Sequence, residues 1–395
     1  MISNLSEIFL VFLRLGLTSF GGPIAHLGFF QTEFVKKRNW LDNQSYADLV
    51  ALCQILPGPA SSQVGMAVGY FRGGYLGALI AWLGFTLPSA VLMILVGYGI
   101  AGTSQLLSAA TLHGLKIAAV AVVAHAVYSM SKSICVDKTR IAMAVLAAAL
   151  ALFVENAFGQ ILIILMGAAA GVLFLKSNST PLLLGHLQKG SKKVASILLV
   201  AFFLLLGALP LAGKLTGDPT IQQFDSFFRT GSLVFGGGHV VLPILKNEIV
   251  NQGWVSSVDF LSGYGAAQAL PGPLFTFSAY LGTVSAVTPG GAAGGLLALV
   301  AIFLPSFLLV LGVIPYWSQM IKNENLQSAI QGVNATVVGL LAAAFYNPVW
   351  KSAIFTMTDL AFAIVAFCLL TFTRTPAWLI VILAAIVPAL IPVYA

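Results

Sequence analysis

The feature that most constrains the fold is a glycine-rich interruption that falls twice inside an apolar segment. In the first copy, Arg14-Leu15-Gly16 is followed by Phe20-Gly21-Gly22-Pro23, and in the second, Arg229-Thr230-Gly231 is followed by Phe235-Gly236-Gly237-Gly238. Glycine and proline clusters are unfavourable inside a straight helix, and a charged side chain is costly inside a bilayer. A cation beside a broken helix is typical of ion sites in membrane transporters, so the repeated motif predicts such a site.

The composition indicates an integral membrane protein. Of the 395 residues, 59% are hydrophobic and 8% are charged, whereas about a quarter of the residues in a soluble domain are charged. Apolar runs of helical length recur throughout, which favours helices over alternating strands. The first residues lack a basic region and a cleavage site, so no removable signal is expected. Cys53, Cys135 and Cys368 lack metal-ligand spacing and are interpreted as packing residues.

The two copies of the motif belong to a duplicated unit, because further residues match in the same order at nearly constant offsets. The matched pairs include Arg14 with Arg229, Glu33 with Glu248, Trp40 with Trp254, Gln54 with Gln268, Pro57-Gly58-Pro59 with Pro271-Gly272-Pro273, and Pro88-Ser89 with Pro305-Ser306. We therefore divide the chain into an N-terminal transporter repeat (1–175), a cytoplasmic linker (176–193), a connecting transmembrane helix (194–213) and a C-terminal transporter repeat (214–395).

The distribution of cations predicts the orientation of the two repeats. If each broken segment enters and leaves on one side, eleven of the nineteen lysines and arginines share a face, which assigns that face to the cytoplasm. The connecting span then places the repeats in opposite orientations, with the N-terminus inside and the C-terminus outside. The predicted fold class is an all-α polytopic membrane protein with two homologous inverted-topology repeats and broken or re-entrant helices.

A second pair of interruptions is formed by Pro57-Gly58-Pro59 and Pro271-Gly272-Pro273, which follow Gln54 and Gln268 respectively. Proline is favoured in the first turn of a helix, so a half-helix is predicted to begin at the last proline of each motif. Its first amide groups have no intrahelical partner and lie at the positive end of the helix dipole, which suits an anion. Ser61 adds a hydroxyl donor. The alternative is an ordinary proline kink, which is common in membrane helices.

The predicted anion site combines these breaks with the two arginines. Arg14 and Arg229 would compensate the charge of a bound anion, or else would extend to lipid headgroups as interfacial arginines do. The four breaks are expected to converge near the bilayer midplane around a pseudo-two-fold axis. The predicted substrate-binding residues are Arg14, Gly21, Gly22, Gln54, Pro57, Gly58, Pro59, Ser61, Arg229, Gly236, Gly237, His239, Gln268, Pro271, Gly272 and Pro273.

Four further ionisable residues are candidates for a charge or proton relay. His26 lies beside the first break and could carry protons near neutral pH, although a lone histidine is more often structural. Lys116 lies inside a predicted span and is either a third cation on the anion path or a partner in helix packing. Glu33 and Glu248 are either proton acceptors or ordinary partners of nearby lysines.

The motifs of common enzymes and of ATP-driven pumps are missing from the sequence. There is no HExxH, GxSxG or Walker motif, so we predict neither an enzyme nor a cofactor or metal site. The expected partners are an oxyanion and the lipid bilayer, with no nucleic acid. Whether two copies form a homodimer is left open.

The motifs resemble those of the chromate ion transporter family in its long-chain, two-domain form. The resemblance rests on Phe20-Gly21-Gly22-Pro23, on the paired Pro-Gly-Pro segments, and on Phe235-Gly236-Gly237-Gly238-His239 with Leu242-Pro243, and it covers both halves. It implies homologous halves of opposite orientation and the export of chromate, which gives chromate resistance. Nothing in the composition or spacing indicates chromium itself.

The membrane potential favours export. Moving one charge across 100 mV is worth about 2.3 kcal/mol, so a dianion that leaves a negative cytoplasm gains about 4.6 kcal/mol, or roughly a thousandfold gradient. We therefore expect a secondary transporter in the bacterial inner membrane that exports chromate by alternating access, driven by the membrane potential or the proton motive force. The alternatives are transport of another oxyanion such as sulfate, an anion channel, and a membrane scaffold that transports nothing.

Overall fold

All regular structure in the described part of the chain is helical. The structure is a computed structural model that describes residues 2–19, 22–102, 109–154, 157–175, 190–234, 241–317, 323–351, 353–373 and 375–390. The helices are, in chain order, α1 (Ile2–Thr18), α2 (Gly22–Phe30), α3 (Asn43–Ile55), α4 (Ala60–Gly102), α5 (Ala109–Ile134), α6 (Lys138–Phe153), α7 (Ala157–Phe174), α8 (Lys192–Thr216), α9 (Pro219–Leu233), α10 (Val241–Leu245), α11 (Ser257–Ala269), α12 (Phe277–Val284), α13 (Gly291–Val313), α14 (Glu324–Ala344), α15 (Met357–Phe372) and α16 (Ala377–Leu390). Segments of π-helix extend α2, α10 and α14, at Gln31–Lys37, Lys246–Val250 and Phe345–Trp350.

The described helices include several that are long and apolar enough to cross a membrane. By length and composition there are five such segments, namely Ala60–Gly99, His113–Lys132, Lys192–Thr216, Gly291–Tyr316 and Glu324–Asn347. A span requires about 20 mainly apolar residues. The chain is therefore an all-α, multi-pass membrane protein, as its composition predicts.

The helices of the second half follow the order of those in the first. The helices α3 and α11 both have 13 residues, and α6 and α15 both have 16. The helices α1, α2, α5 and α7 likewise have counterparts in α9, α10, α14 and α16. Between the halves lies α8, which begins at Lys192, two residues before the predicted connecting span. Residues 176–189 of the predicted linker lie outside the described residues.

Glycines produce a bend in α4 at the point that corresponds, in the second half, to the interruption between α12 and α13. Gly73 and Gly74 have non-helical backbone angles, and Gly74 has a φ of 65°. The matched residue Gly291, which begins α13, has a φ of 60°. Because residues other than glycine rarely adopt a positive φ, both halves use glycine to turn the chain at the same point. The first part of α4 thus corresponds to α12, and its second part to α13.

The two halves interlock through close helix contacts. In the second half, α14 packs against α6 and α7 of the first, and α5 of the first half packs against α11, α15 and α16. The backbones of α7 and α14 meet at glycines, since a Cβ atom on Gly332 would overlap the carbonyl oxygen of Gly167. Lipid tails are as apolar as leucine, so close packing of this kind contributes much of the association between membrane helices.

The helix α8 lies at the periphery of the bundle. It packs against α9 and α13, but many of its large apolar side chains are exposed. The exposed residues are Ile197, Val200, Phe203, Leu204, Leu211 and Leu215. A helix with so apolar an exposed surface is typical of a lipid-facing span.

Candidate functional site

Each Pro-Gly-Pro motif separates two helical segments. The helix α3 ends at Ile55 and α4 begins at Ala60, while α11 ends at Ala269 and a 3-10 turn begins at Leu274. Both half-helices therefore begin one residue after the predicted proline. Gly58 has a φ of 120° and Gly272 a φ of 94°, which favour glycine over any other residue.

The space around the two motif glycines is also closely filled by the opposite half. A Cβ atom on Gly58 would lie 2.5 Å from the Ser306 hydroxyl, and one on Gly272 would lie 2.7 Å from the Ser89 hydroxyl. Ser89 and Ser306 are matched residues of the two repeats, so the contacts are reciprocal. This matched pair is not among the site residues predicted from the sequence. A serine follows a matched proline in both repeats, and this repetition was a sequence signal for including the pair in the site.

Backbone hydrogen bonds join each Pro-Gly-Pro break to the end of a helix in the opposite half. The amide of Gly58 donates to the carbonyl of Val234 at 2.6 Å, and the amide of Gly272 donates to the carbonyl of Ser19 at 2.9 Å. Ser19 follows α1 and Val234 follows α9 at matched positions. The structure therefore brings both Pro-Gly-Pro breaks together with the ends of the two arginine-bearing helices.

The glycine breaks themselves are described only in part. Gly22 begins α2 with a φ of 78°, a conformation that suits glycine. Gly21, Gly236, Gly237 and His239 lie outside the described residues. The assignment of these four residues to the site stays a prediction.

Buried polar side chains surround the start of α4. The His26 side chain is 1% exposed, and its Nδ1 lies 3.3 Å from the Ser61 hydroxyl in the first turn of α4. Gln63 Nε2 donates to the Pro57 carbonyl at 2.6 Å and lies 3.4 Å from the Ser306 hydroxyl. These contacts connect α2, α4 and α13 around the first Pro-Gly-Pro break.

Several polar atoms of this cluster have no hydrogen-bond partner among the described residues. They are Ser19 Oγ, His26 Nε2, Ser62 Oγ and Gln63 Oε1. Thr86 Oγ1 also has no partner among the described residues, and Thr86 follows Phe85, whose ring contacts that of His26. Buried polar atoms in proteins are nearly always paired with protein or with ordered water. A concentration of unpaired groups at one helix terminus is therefore typical of a place that a polar ligand or water occupies.

The matched positions of the second repeat are apolar. Valine or phenylalanine occupies each of these positions in the second repeat: Val234 matches Ser19, Val241 matches His26, Phe275 matches Ser61, Phe277 matches Gln63 and Phe303 matches Thr86. All five replacements are buried, and the rings of Phe275 and Phe303 lie 5.9 Å apart. The hydroxyl of Thr276, which matches Ser62, donates to the Pro273 carbonyl at 2.8 Å. The two breaks thus share a backbone arrangement but differ in side-chain chemistry.

The start of α4 also presents backbone donors. The Gln63 amide donates to the Pro59 carbonyl at 3.0 Å, so the amides of the three preceding residues stand at the open end of the helix. Such amides carry the positive end of the helix dipole and are suited to an anion. The hydroxyls of Ser61 and Ser62 belong to the same first turn of α4.

The two matched arginines have different surroundings. Arg14 is exposed and forms no ion pair with any residue that the structure describes. Arg229 is partly buried, and its Nη2 lies 2.7 Å from Asp225 Oδ2 and 2.9 Å from Glu248 Oε2. Asp225 was not predicted from the sequence, although a carboxylate four residues before an arginine on a helix is a recognisable signal.

The remaining predicted residues are dispersed. Glu33 pairs with Lys37 at 3.3 Å and with Arg38 at 2.8 Å, which is the ordinary role considered for it. Gln54 is exposed and Lys116 is half-buried. Gln268 has a buried Nε2 without a partner among the described residues. None of these contacts places Gln54 or Lys116 in the polar cluster.

Comparison with known protein families gives one match. A family model described as "Chromate transporter" matches residues 6–172 and 221–389. Each half of the chain is thus matched separately, and α8 lies between the two matched segments. This division agrees with the repetition of helix order in the structure.

Several curated relatives match most of the chain. The chain is 29% identical over 345 residues to a chromate transport protein of Pseudomonas aeruginosa, which covers 85% of this chain and 79% of the relative. It is 28% identical over 346 residues to a probable chromate transport protein of Synechococcus elongatus, covering 86% and 84%. It is 26% identical over 393 residues to a chromate transport protein of Cupriavidus metallidurans, covering 97% and 92%. No solved structure matches the chain.

Replacing Arg229 with methionine is expected to destabilise the protein, because Asp225 and Glu248 would remain buried without a cation. Breaking a buried ion pair in this way costs about 3–5 kcal/mol. The measurement is the melting temperature of the detergent-purified protein.

The matched control is Arg14→Met, which removes an exposed arginine that has no ion pair among the described residues. Combining Arg229→Met with Asp225→Asn and Glu248→Gln should restore most of the lost stability. If Arg229→Met and Arg14→Met melted at the same temperature, the ion cluster would contribute nothing.

Proposed function

This chain belongs to the chromate transporter family, and we propose that it exports chromate from the bacterial cytoplasm across the inner membrane and so gives resistance to chromate. The names of the curated relatives support chromate as the substrate. The proposed energy source is the membrane potential, since a dianion leaving a negative cytoplasm moves down its electrical gradient.

The proposal rests mainly on the group of hydrogen-bond donors at the start of α4. A tetrahedral dianion requires several hydrogen-bond donors to replace part of its hydration shell. The open amides of α4, the hydroxyls of Ser61 and Ser62, and the ring of His26 supply such donors within one buried cluster. We assign substrate binding mainly to this first-repeat break, because the matched second-repeat break is filled by Phe275, Phe277 and Phe303.

The proposed transport mechanism is alternating access between two inverted halves. Both Pro-Gly-Pro breaks are bonded across the interface between the halves, through Gly58 to Val234 and through Gly272 to Ser19. A substrate held there would lie between the two repeats, where rocking of one half against the other exposes it to either side in turn. No separate energy-converting domain is needed for such a mechanism.

The inverted arrangement predicts that the N-terminus lies in the cytoplasm and the C-terminus outside. Eleven of the nineteen lysines and arginines are assigned to the cytoplasmic face under this topology, as expected for short inner loops. Reporter fusions at each terminus, active on only one side of the membrane, measure the orientation. Two termini on the same side would exclude the inverted model.

Everted membrane vesicles that contain the protein are expected to accumulate labelled chromate when their interior is positive. A potential of 100 mV would support roughly a thousandfold gradient of a dianion. Uptake should saturate with chromate and should disappear when the potential is collapsed. Uptake that never saturates would indicate a channel, no uptake at any potential would indicate a scaffold, and equal uptake of sulfate would indicate a broader oxyanion carrier.

The same assay tests the assigned site. Ser62→Ala removes a buried hydroxyl with no partner among the described residues and is expected to raise the KM for chromate about tenfold, since a hydrogen bond to a charged group is worth about 1.5–3 kcal/mol. The control is Ser278→Ala in the second repeat, because that buried hydroxyl already donates to the Phe275 carbonyl at 2.9 Å. An unchanged KM in Ser62→Ala would remove this hydroxyl from the site.

A further inference from the structure

The ion cluster around Arg229 contains more carboxylates than cations. Asp225 Oδ2 and Glu248 Oε2 both accept from the same nitrogen, Nη2, at 2.7 and 2.9 Å. Asp225 is 6% exposed and Glu248 is 1% exposed. Arg229 Nε is buried and has no partner among the described residues. The guanidinium is therefore shared between two carboxylates, and neither holds it through two parallel hydrogen bonds.

The surroundings of the cluster do not supply a second close cation among the described residues. On α9 itself, the Ser226 hydroxyl donates to Glu248. From α8, which packs against α9, Lys214 faces Asp225 but forms no ion pair with it. From α13, the backbone around Ile302 meets Gly231. On the π-helical segment that carries Glu248, Lys246 donates to Asn347 Oδ1 at 3.3 Å. The cluster of two carboxylates and one guanidinium thus carries one uncompensated negative charge when both carboxylates are ionised.

The first repeat lacks this arrangement. Arg14 matches Arg229, but the position of Asp225 is occupied by Leu10. Glu33, which matches Glu248, pairs instead with Lys37 and Arg38. The second repeat therefore has, at Asp225, a carboxylate that the first repeat lacks, and this carboxylate pairs with its arginine.

Arg229 lies on the helix whose end is bonded to the first-repeat break. It precedes Val234 by five residues on the same helix, which corresponds to a rise of about 7.5 Å. The carbonyl of Val234 accepts the hydrogen bond from Gly58, in the first-repeat break. An extended arginine side chain can span such a distance, so the guanidinium could meet an anion at the break if the carboxylates released it.

We propose that Asp225 and Glu248 form a proton-binding pair that competes with the transported anion for Arg229. This inference rests on the proposed function, because the competing ligand is the transported oxyanion. When the anion binds Arg229, the two carboxylates lose their cation, and like charges close together favour uptake of a proton from solvent. Anion binding is thus coupled to protonation of this pair, and by linkage the affinity for the anion increases as the pH falls.

The test compares the wild type with the double variant Asp225→Asn, Glu248→Gln, in which Arg229 is always available. Equilibrium dialysis with labelled chromate measures the dissociation constant from mildly acidic to mildly alkaline pH. The protonation of chromate itself affects both proteins equally. In the double variant, we expect the affinity at alkaline pH to be at least about tenfold higher than in the wild type, and the additional pH dependence of the wild type to be absent.

Two controls accompany this comparison. Asp218→Asn replaces another carboxylate of α9 by a residue that also caps helices, and it should keep the wild-type pH dependence. Adding Arg229→Met to the double variant should abolish the gain in affinity. A double variant whose affinity is lower than that of the wild type at every pH, or whose pH profile is parallel to it, would overturn the proposal.

A second measurement uses the wild type alone, so it does not depend on the folding of a variant. At alkaline pH, where chromate carries no proton, adding chromate to the purified protein in weak buffer should consume about one proton per bound anion. Chromate binding without proton uptake would overturn the inference but leave the proposed function intact. If the wild type neither bound nor carried chromate, the proposed function would fail.

Discussion

Two backbone hydrogen bonds between the repeats are the constraint on which the rest of the structure depends. Each Pro-Gly-Pro break frees amide and carbonyl groups that water cannot reach inside a bilayer, where every unpaired group is costly. The amide of Gly58 finds its partner in Val234 and that of Gly272 finds its partner in Ser19. Since each partner lies in the opposite repeat, neither of these two amides is satisfied by its own half. This reciprocity gives a physical reason for a duplicated chain to keep both copies of the motif.

The side chains have diverged where the backbone has not. Around the first break, His26, Ser62 and Gln63 present buried polar atoms without partners among the described residues, whereas Phe275 and Phe277 fill the matched positions of the second. At both breaks, a backbone hydrogen bond joins the two halves. We therefore propose that the first repeat binds the anion and that the second supplies a rigid apolar support together with an arginine whose availability is controlled by carboxylates.

Much of the helical framework could be predicted from the sequence, because proline and glycine act locally. The start of α4 lies one residue after Pro59, where a half-helix was predicted to begin. The resemblance to the chromate transporter family was likewise readable from short motifs, and the family match confirms it. Aligning the two repeats also places Val241 at the position of His26. That this position is polar and buried in one repeat and apolar and buried in the other could be seen only in the structure.

Contacts between distant segments could not be predicted in the same way. The pairing of Arg229 with Glu248 joins two helices across a break, and only the folded structure shows that both reach one place. The pairing of α14 with α6 and α7 depends equally on how the halves interlock. Local sequence signals describe where helices end, whereas the partners of a buried charge depend on tertiary packing.

We propose that the anion binds at the start of α4 in the first repeat. X-ray diffraction from crystals soaked in chromate, recorded near the absorption edge of chromium, would locate the metal directly through its anomalous scattering. If the anion binds there, one peak is expected within hydrogen-bonding distance of the Ser62 hydroxyl and the first amides of α4. A peak beside Thr276 in the second repeat, or one at an exposed site remote from both breaks, would contradict it.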